Sequence, residues 1–221
     1  MQDDHTSPSS AEVPSEVPAA TRKRPKPGER RVQILQALAA MLEQPGAERI
    51  TTAALAARLS VSEAALYRHF ASKAQMFEGL IEFIENSVFS LVNQIAEREQ
   101  ATSAEDPGAG ARNAAKVVML LLQFAEKNPG MTRVMVGDAL VFENERLQQR
   151  MNQFFDKIEA ALKQSLRSGA DANGSATPSV DTLVLASALT AFAVGRLHRF
   201  ARSGFKRLPS EHLEASLALM L

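Results

Sequence analysis

Residues 50–73, ITTAALAARLSVSEAALYRHFASK, constrain the fold more tightly than any other part of the chain. Apolar residues recur there at helical spacing in two short runs separated by a tight turn. Thr51 or Thr52 can accept from the free N–H groups of a first helix reaching about Leu59, with Leu55, Ala56 and Leu59 facing inward. Ser60 breaks the pattern, Val61 packs back as a hydrophobic staple, and Ser62 caps a second helix over 63–70 whose inward residues are Ala65, Leu66 and Phe70. Ala56 and Ala65 are small enough to let the two helices cross closely and steeply. The second helix then protrudes, as the reading helix of a helix-turn-helix does in a major groove.

The outward side of this hairpin carries groups suited to DNA. Ser62 and Arg68 can bond base edges or phosphates, the Ala64 methyl can touch a thymine methyl, and the helix N-terminus attracts a phosphate. Thr51, Thr52, Tyr67 and His69 border the same face, and Lys73, just after the capping Ser72, is a further phosphate ligand. A plain amphipathic hairpin with a solvated face would explain the periodicity. It would not explain the agreement of caps, turn and basic groups.

Charge distribution supports this reading although Lys and Arg together number 25 and Asp and Glu also 25, a net charge of zero. Residues 22–73 hold ten bases against four acids, a net of +6, while residues 1–21 carry four acids and no base. Positive charge is thus concentrated around the hairpin, and binding to a polyanion should weaken steeply with salt. Residues 1–28, rich in Pro, Ser, Glu and Ala, read as a disordered tail whose RKRPKP segment is either a basic arm following the DNA backbone or a solubilising extension.

Other functions find little support. Cysteine is absent, which excludes thiol chemistry and permits a cytosolic setting. The N-terminus is polar and acidic, unlike a signal peptide, and no apolar run approaches the roughly 20 residues needed to cross a bilayer. His5, His69, His198 and His212 are scattered without metal-ligand spacing, and neither a phosphate-cradling Gly-rich loop nor a nucleophile elbow is present. The expectation is a cytoplasmic protein that is not an enzyme and uses no metal or cofactor.

Helical periodicity continues through the rest of the chain. A helix over 29–42 has Val32, Leu35, Leu38, Ala39 and Leu42 as its stripe and stops at Pro45-Gly46. A long helix over 73–97 carries apolar positions from Met76 through Leu91 to Ile95, and a helix over 112–127 contains VVMLLLQF, expected to be buried on nearly all sides. A short helix over 131–136 precedes a long one over 138–168 with Leu140, Phe142, Leu147, Met151, Phe154 and Phe155 inward. The last two, over 180–202 and 209–220, have Leu183, Val184, Ala191, Phe192, Leu197, Phe200, Leu213, Leu217 and Met220 as packing residues. Their small residues Ala186, Ala188, Ala193 and Gly195 suit the core or a two-helix dimer contact. The expected fold is all-α with about nine helices: a tail over 1–28, a helix-turn-helix domain over 29–75, and a helical dimerisation and partner-binding domain over 76–221.

The segment ITTAALAARLSVSEAALYRHFASKAQMF resembles the DNA-binding segment of TetR-family regulators, whose motif closes with a similar LYxHFxxK signature. VSEAALYRHFASKAQMFEGLIEFIENS and FAEKNPGMTRVMVGDALVFENERLQQRMNQFFDKIEA further resemble the nucleoid occlusion factors of that family, and the likeness extends over about 30–209. It implies a homodimer on a palindromic DNA site, joined by its last two helices, with half-sites about one helical turn apart. It also implies a partner, the tubulin-like division protein FtsZ, whose tail docks beside the long helix after the reader at positions matching Phe83 and Arg133. Phe83 lies out of phase with the Leu80, Ile81 and Ile84 stripe, so an exposed aromatic fits there. The alternative for a TetR-type body is a transcription repressor gated by a small ligand. The departures from the family pattern are the long acidic N-terminus and the loops at 101–110 and 169–178.

Overall fold

A computed structural model of the protein describes residues 28–44, 50–100, 108–170 and 177–221. The expected tail and basic arm, the Pro45-Gly46 stop and most of both loops lie outside these residues. Among those described there are nine α-helices and no strand: α1 Glu29–Leu42, α2 Thr52–Arg58, α3 Glu63–Tyr67, α4 Lys73–Gln100, α5 Ala109–Lys127, α6 Pro129–Met135, α7 Glu145–Ala170, α8 Pro178–Arg202 and α9 Leu213–Met220. One turn of 3-10 helix, Asp138–Leu140, precedes α7.

One hydrophobic core runs through the molecule, from Ile34, Leu38 and Leu42 in α1 and Leu55 and Leu66 in the hairpin to Leu197 in α8 and Leu217 in α9. Helix α4 crosses position 75 without a break, so the reader and the body share a continuous rod. Its start is anchored twice. Lys73 pairs with Glu143 just ahead of α7, and Gly79 lets the Phe70 ring and the Leu35 side chain approach closely, 3.2 and 3.4 Å from where a Cβ would stand. Farther along, Arg146 pairs with Glu78 at 2.8 Å and Arg150 with Glu85 at 2.9 Å, which fixes the register of α7 against α4. Phe89, Phe154 and Phe155 meet edge to face between these helices, with ring centroids 5.6 and 5.1 Å apart. Helix α6 packs on α1 through the buried Gly130, which lies against the Ala39 carbonyl.

Several expectations change. In α1 Leu38, Ala39 and Leu42 are buried and Leu35 half-buried as expected, but at the start of the stripe Ile34 takes the inward place and Val32 is half exposed. The helix expected over 138–168 is broken at residues 141–144, where Val141 and Phe142 stand in solvent and Asn144 accepts from the Arg146 N–H to start α7. The VVMLLLQF run is buried on one side only, since Met119, Leu120 and Phe124 are half-buried and Gln123 is exposed. The expectation that no segment is long and apolar enough to span a bilayer fails for Ser179–Arg202, which passes by length and composition. That segment is α8, which buries Ala186, Leu189, Ala193, Leu197 and Phe200 against its neighbours and leaves Val180, Leu183, Val184, Ala188 and Ala191 uncovered. Leu183, Val184 and Ala191, expected to pack inward, form an outer apolar face instead.

Candidate DNA interface and partner cleft

Both cap residues of the hairpin do what their chemistry requires. The Thr51 hydroxyl accepts from the Ala54 N–H at 3.1 Å and the Ser62 hydroxyl from the Ala65 N–H at 3.3 Å, so each helix begins where the sequence indicates. The turn between them is a Schellman closure: the Val61 N–H reaches the Ala56 carbonyl at 3.0 Å, the Ser60 N–H reaches the Ala57 carbonyl at 3.0 Å, and Ser60 takes a left-handed φ of 53°. Helix α3 is shorter than its expected span of 63–70. It ends at Tyr67, leaving Arg68 and His69 in the turn that returns the chain to the buried Phe70.

Ser62, Glu63, Ala64, Tyr67 and Arg68 are all exposed on one side of the hairpin, and His69 is half-buried at its end. Thr52 is tied into this surface, donating to the Glu63 carboxylate at 2.5 Å and accepting from the Tyr67 hydroxyl at 3.5 Å. These bonds link α2 to α3 as one rigid block. Arg31 of α1 donates to the His69 carbonyl at 2.5 Å while its guanidinium stacks on the Phe70 ring at 4.1 Å, so the end of the reader is held from behind. Lys73 is placed differently from the other candidates. Its ammonium is paired with Glu143, which uses part of its charge inside the protein.

Of the two positions expected to meet a partner, Phe83 is exposed on α4, 46% of its surface being open. Arg133 is half-buried in α6 and stacks at 5.2 Å over the Phe205 ring, tying α6 to the segment after α8. The structure adds a feature that sequence reasoning missed. Leu91 and Ile95 of α4 face Met119, Leu120 and Phe124 of α5 across a cleft of about 380 Å³, edged by Lys116 and Lys127. Periodicity places Leu91 in the core stripe, yet it is 42% exposed because the face of α4 it occupies borders this cleft. Phe83, Leu91 and Ile95 are spaced by eight and four residues, along one ridge of α4. The sequence signal for such a cleft is Lys116 and Gln123 flanking an otherwise apolar run, too polar for a helix buried all round.

A capped helix-turn-helix mounted on a helical body defines the class: a DNA-binding regulator of TetR type. The family model described as "Bacterial regulatory proteins, tetR family" matches residues 34–80, and that described as "Tetracyclin repressor-like, C-terminal domain", of SlmA-like type, matches 112–221. Solved structures share the fold, among them the fatty acid degradation regulator FadR from Bacillus halodurans (TM-score 0.69, 15% identity, covering 89% of this chain and 96% of that one). Another is the TetR-family transcriptional regulator PfmR from Thermus thermophilus (TM-score 0.64, 22% identity, 86% and 97%). Sequence relatives are far more similar. The nucleoid occlusion factor SlmA of Idiomarina loihiensis is 51% identical over 191 residues, covering 86% of this chain and 93% of that protein. SlmA of Vibrio cholerae is 52% identical over 193 residues (86% and 93%), and SlmA of Aliivibrio fischeri 52% over 202 (91% and 97%). The chain belongs to the SlmA family of nucleoid occlusion factors.

Proposed function

We propose that this protein is a homodimeric nucleoid occlusion factor that binds palindromic DNA sites in the cytoplasm, on the nucleoid, and there inhibits assembly of FtsZ. The observation that carries the partner half is the cleft between α4 and α5, on the same ridge of α4 as the exposed Phe83. Its apolar floor and two lysine edges suit a peptide offering apolar side chains beside carboxylates, the form in which a tail segment docks into a groove. Arg133 does not line this cleft; stacked on Phe205, it acts in this reading as part of the joint that shapes α6.

The DNA half rests on Thr51, Thr52, Ser62, Ala64, Tyr67, Arg68, His69 and Lys73. Ser62, Ala64, Tyr67 and Arg68 form the exposed reading surface, Thr51 and Thr52 set its pitch, and His69 and Lys73 stand at its edge. Dimerisation follows from the uncovered face of α8 with the outer side of α9, where Leu219 is 90% exposed. Two such helices per protomer complete a four-helix contact when a second copy covers them. The domain boundary near 75 falls just inside α4, so a change of dimer geometry would reach the readers through that helix.

The test is light scattering of GTP-driven FtsZ polymers with this protein alone, with a selected high-affinity duplex and with a scrambled duplex. Loss of polymer that is greatest with the selected duplex is the expected result. Polymer unaffected in all three, with specific DNA binding retained, would return the protein to the ligand-gated transcription repressors. For the reader, Arg68→Ala should weaken DNA binding, lowering the salt slope if Arg68 meets a phosphate or relaxing preference at one base pair if it reads an edge. Unchanged affinity at two salt concentrations would remove Arg68 from the interface.

A further inference from the structure

A second basic surface lies outside the hairpin. Between the end of α8 and the start of α9, Arg196, Arg199, Lys206, Arg207, Ser210, Glu211 and His212 line a cleft of about 670 Å³. Positive φ at Gly204, Phe205 and His212 folds this segment back on α8. The fold is built rather than loose. Ser203 Oγ accepts from the N–H groups of Lys206 and Arg207 at 3.1 and 2.9 Å, and Arg196 donates to the Pro209 and Glu211 carbonyls and to Ser216 Oγ.

Arg196 is therefore spent on holding the segment, whereas Arg199, Lys206 and Arg207 are exposed and, like Arg202 one turn along α8, have no acidic partner among the described residues. Within 199–207 there are four bases and no acid, set in a body whose residues from 74 onward sum to a net of −2. Arg199 and Arg202 gain from the C-terminal end of the α8 dipole, but Lys206 and Arg207 add like charge to the same surface, which favours an anionic partner.

The cleft's position says which anion. Glu126 at the end of α5 accepts from the Ser210 N–H at 2.7 Å, and Arg133 of α6 stacks on Phe205, while α6 itself packs on α1 through Gly130 and Ala39. The start of α7 is at the same end, since Glu143 pairs with Lys73 at the foot of α4. The basic segment is thus on the end of the body that carries the reader domain, not on the far end of the bundle.

We propose that Arg199, Lys206 and Arg207, with Arg202 beside them, form a second, sequence-independent contact to DNA phosphates, engaged when α3 is seated in the groove. This inference rests on the reading of the protein as a DNA binder. It adds a body-borne electrostatic contribution to affinity and no base preference, because exposed Arg and Lys side chains meeting the backbone position a protein without reading sequence.

The experiment measures affinity for the selected and scrambled duplexes between 50 and 200 mM salt, for the full chain, the triple variant R199Q/K206Q/R207Q and the charge-preserving R199K/K206R/R207K. Neutralisation should lower the slope of log affinity against log salt by about one for each phosphate that the body ceases to touch, with the ratio between selected and scrambled duplexes unchanged. The charge-preserving variant should keep the original slope. If neutralisation left the slope unchanged while selective binding persisted, the body contact would be wrong and the reader would stand. If the unsubstituted protein failed to prefer the selected duplex, the DNA reading itself would fall. Binding to vesicles of phosphatidylglycerol and phosphatidylcholine is measured in parallel. Loss there with DNA binding intact would assign the cleft to a lipid surface and overturn the proposal.

Discussion

Gly130→Ala is the sharpest test of how the reader is attached to the body. Gly130 is the second residue of α6, where replacing Gly by Ala would ordinarily gain about 0.5–1 kcal/mol through reduced freedom of the unfolded chain. Here an added Cβ would overlap the Ala39 carbonyl oxygen, stand 2.9 Å from the Ala39 carbonyl carbon and 3.2 Å from Glu43 Cγ. The glutamate side chain can rotate away. The carbonyl belongs to the backbone ladder of α1 and cannot move without shifting that helix, so overpacking should fall at the upper end of the usual cost, about 3 kcal/mol. The net loss is about 2 kcal/mol, or about 4–8 °C in Tm for a chain of this size. Thermal unfolding followed by circular dichroism reads it directly, and hydrogen exchange at residues 38–43 reports whether α1 has loosened. A Tm equal to or above that of the unsubstituted protein would show that α6 does not press on α1 and would refute the reasoning.

Other consequences can be measured separately. Phe154→Ala removes a fully buried ring that meets two others edge to face, and denaturant unfolding should show a loss of about 3–5 kcal/mol; a loss below about 1 would mean the site collapses around the gap. Burial alone would raise the Glu85 carboxyl, but the hydrogen bond and charge of Arg150, then those of Lys157, outweigh it and hold it below its ordinary value of 4.5. Its contribution to stability is therefore present above that value and lost as pH falls through the lower folded value, so Glu85→Gln should flatten the acid limb of a stability curve; an identical limb would contradict this. Phe83→Ala should leave Tm within about 1–2 °C, being an exposed site, while weakening inhibition of FtsZ assembly; full inhibition would take Phe83 out of the partner surface.

How much of the structure is legible in the sequence differs by element. The hairpin is readable because each of its devices is local: Thr51 and Ser62 bond three residues ahead, and Ser60 sits at the one position where the chain must turn. Helix existence is readable from periodicity throughout. Three features are not, and each depends on something distant. The break at 141–144 carries no Gly or Pro, and Val141 with Phe142 continues an apolar rhythm although both are in solvent. Leu91 and Met119 look like core residues until the neighbouring helices are seen to part between them. Leu183 and Val184 have the composition of an interior because, in the dimer proposed above, they become one. The basic character of 199–207 can be counted in the sequence, but its charges gather into one surface only when the loop folds back on α8.

The brevity of α3 bears on how such a protein is spread over a chromosome. Five helical residues at about 1.5 Å each extend about 7.5 Å, the rise of roughly two base-pair steps, so one reader can address about three base pairs. Two readers in a dimer then specify about six, a pattern that chance supplies roughly once in every 4,000 positions, or some hundreds of times among about 10⁶ competing sites. A helix of this length carries too little information to single out one promoter without contacts from outside it, such as Arg68 just past its end. It is suited to marking a whole chromosome, with the density of its sites setting where the mark is strong and where it is thin.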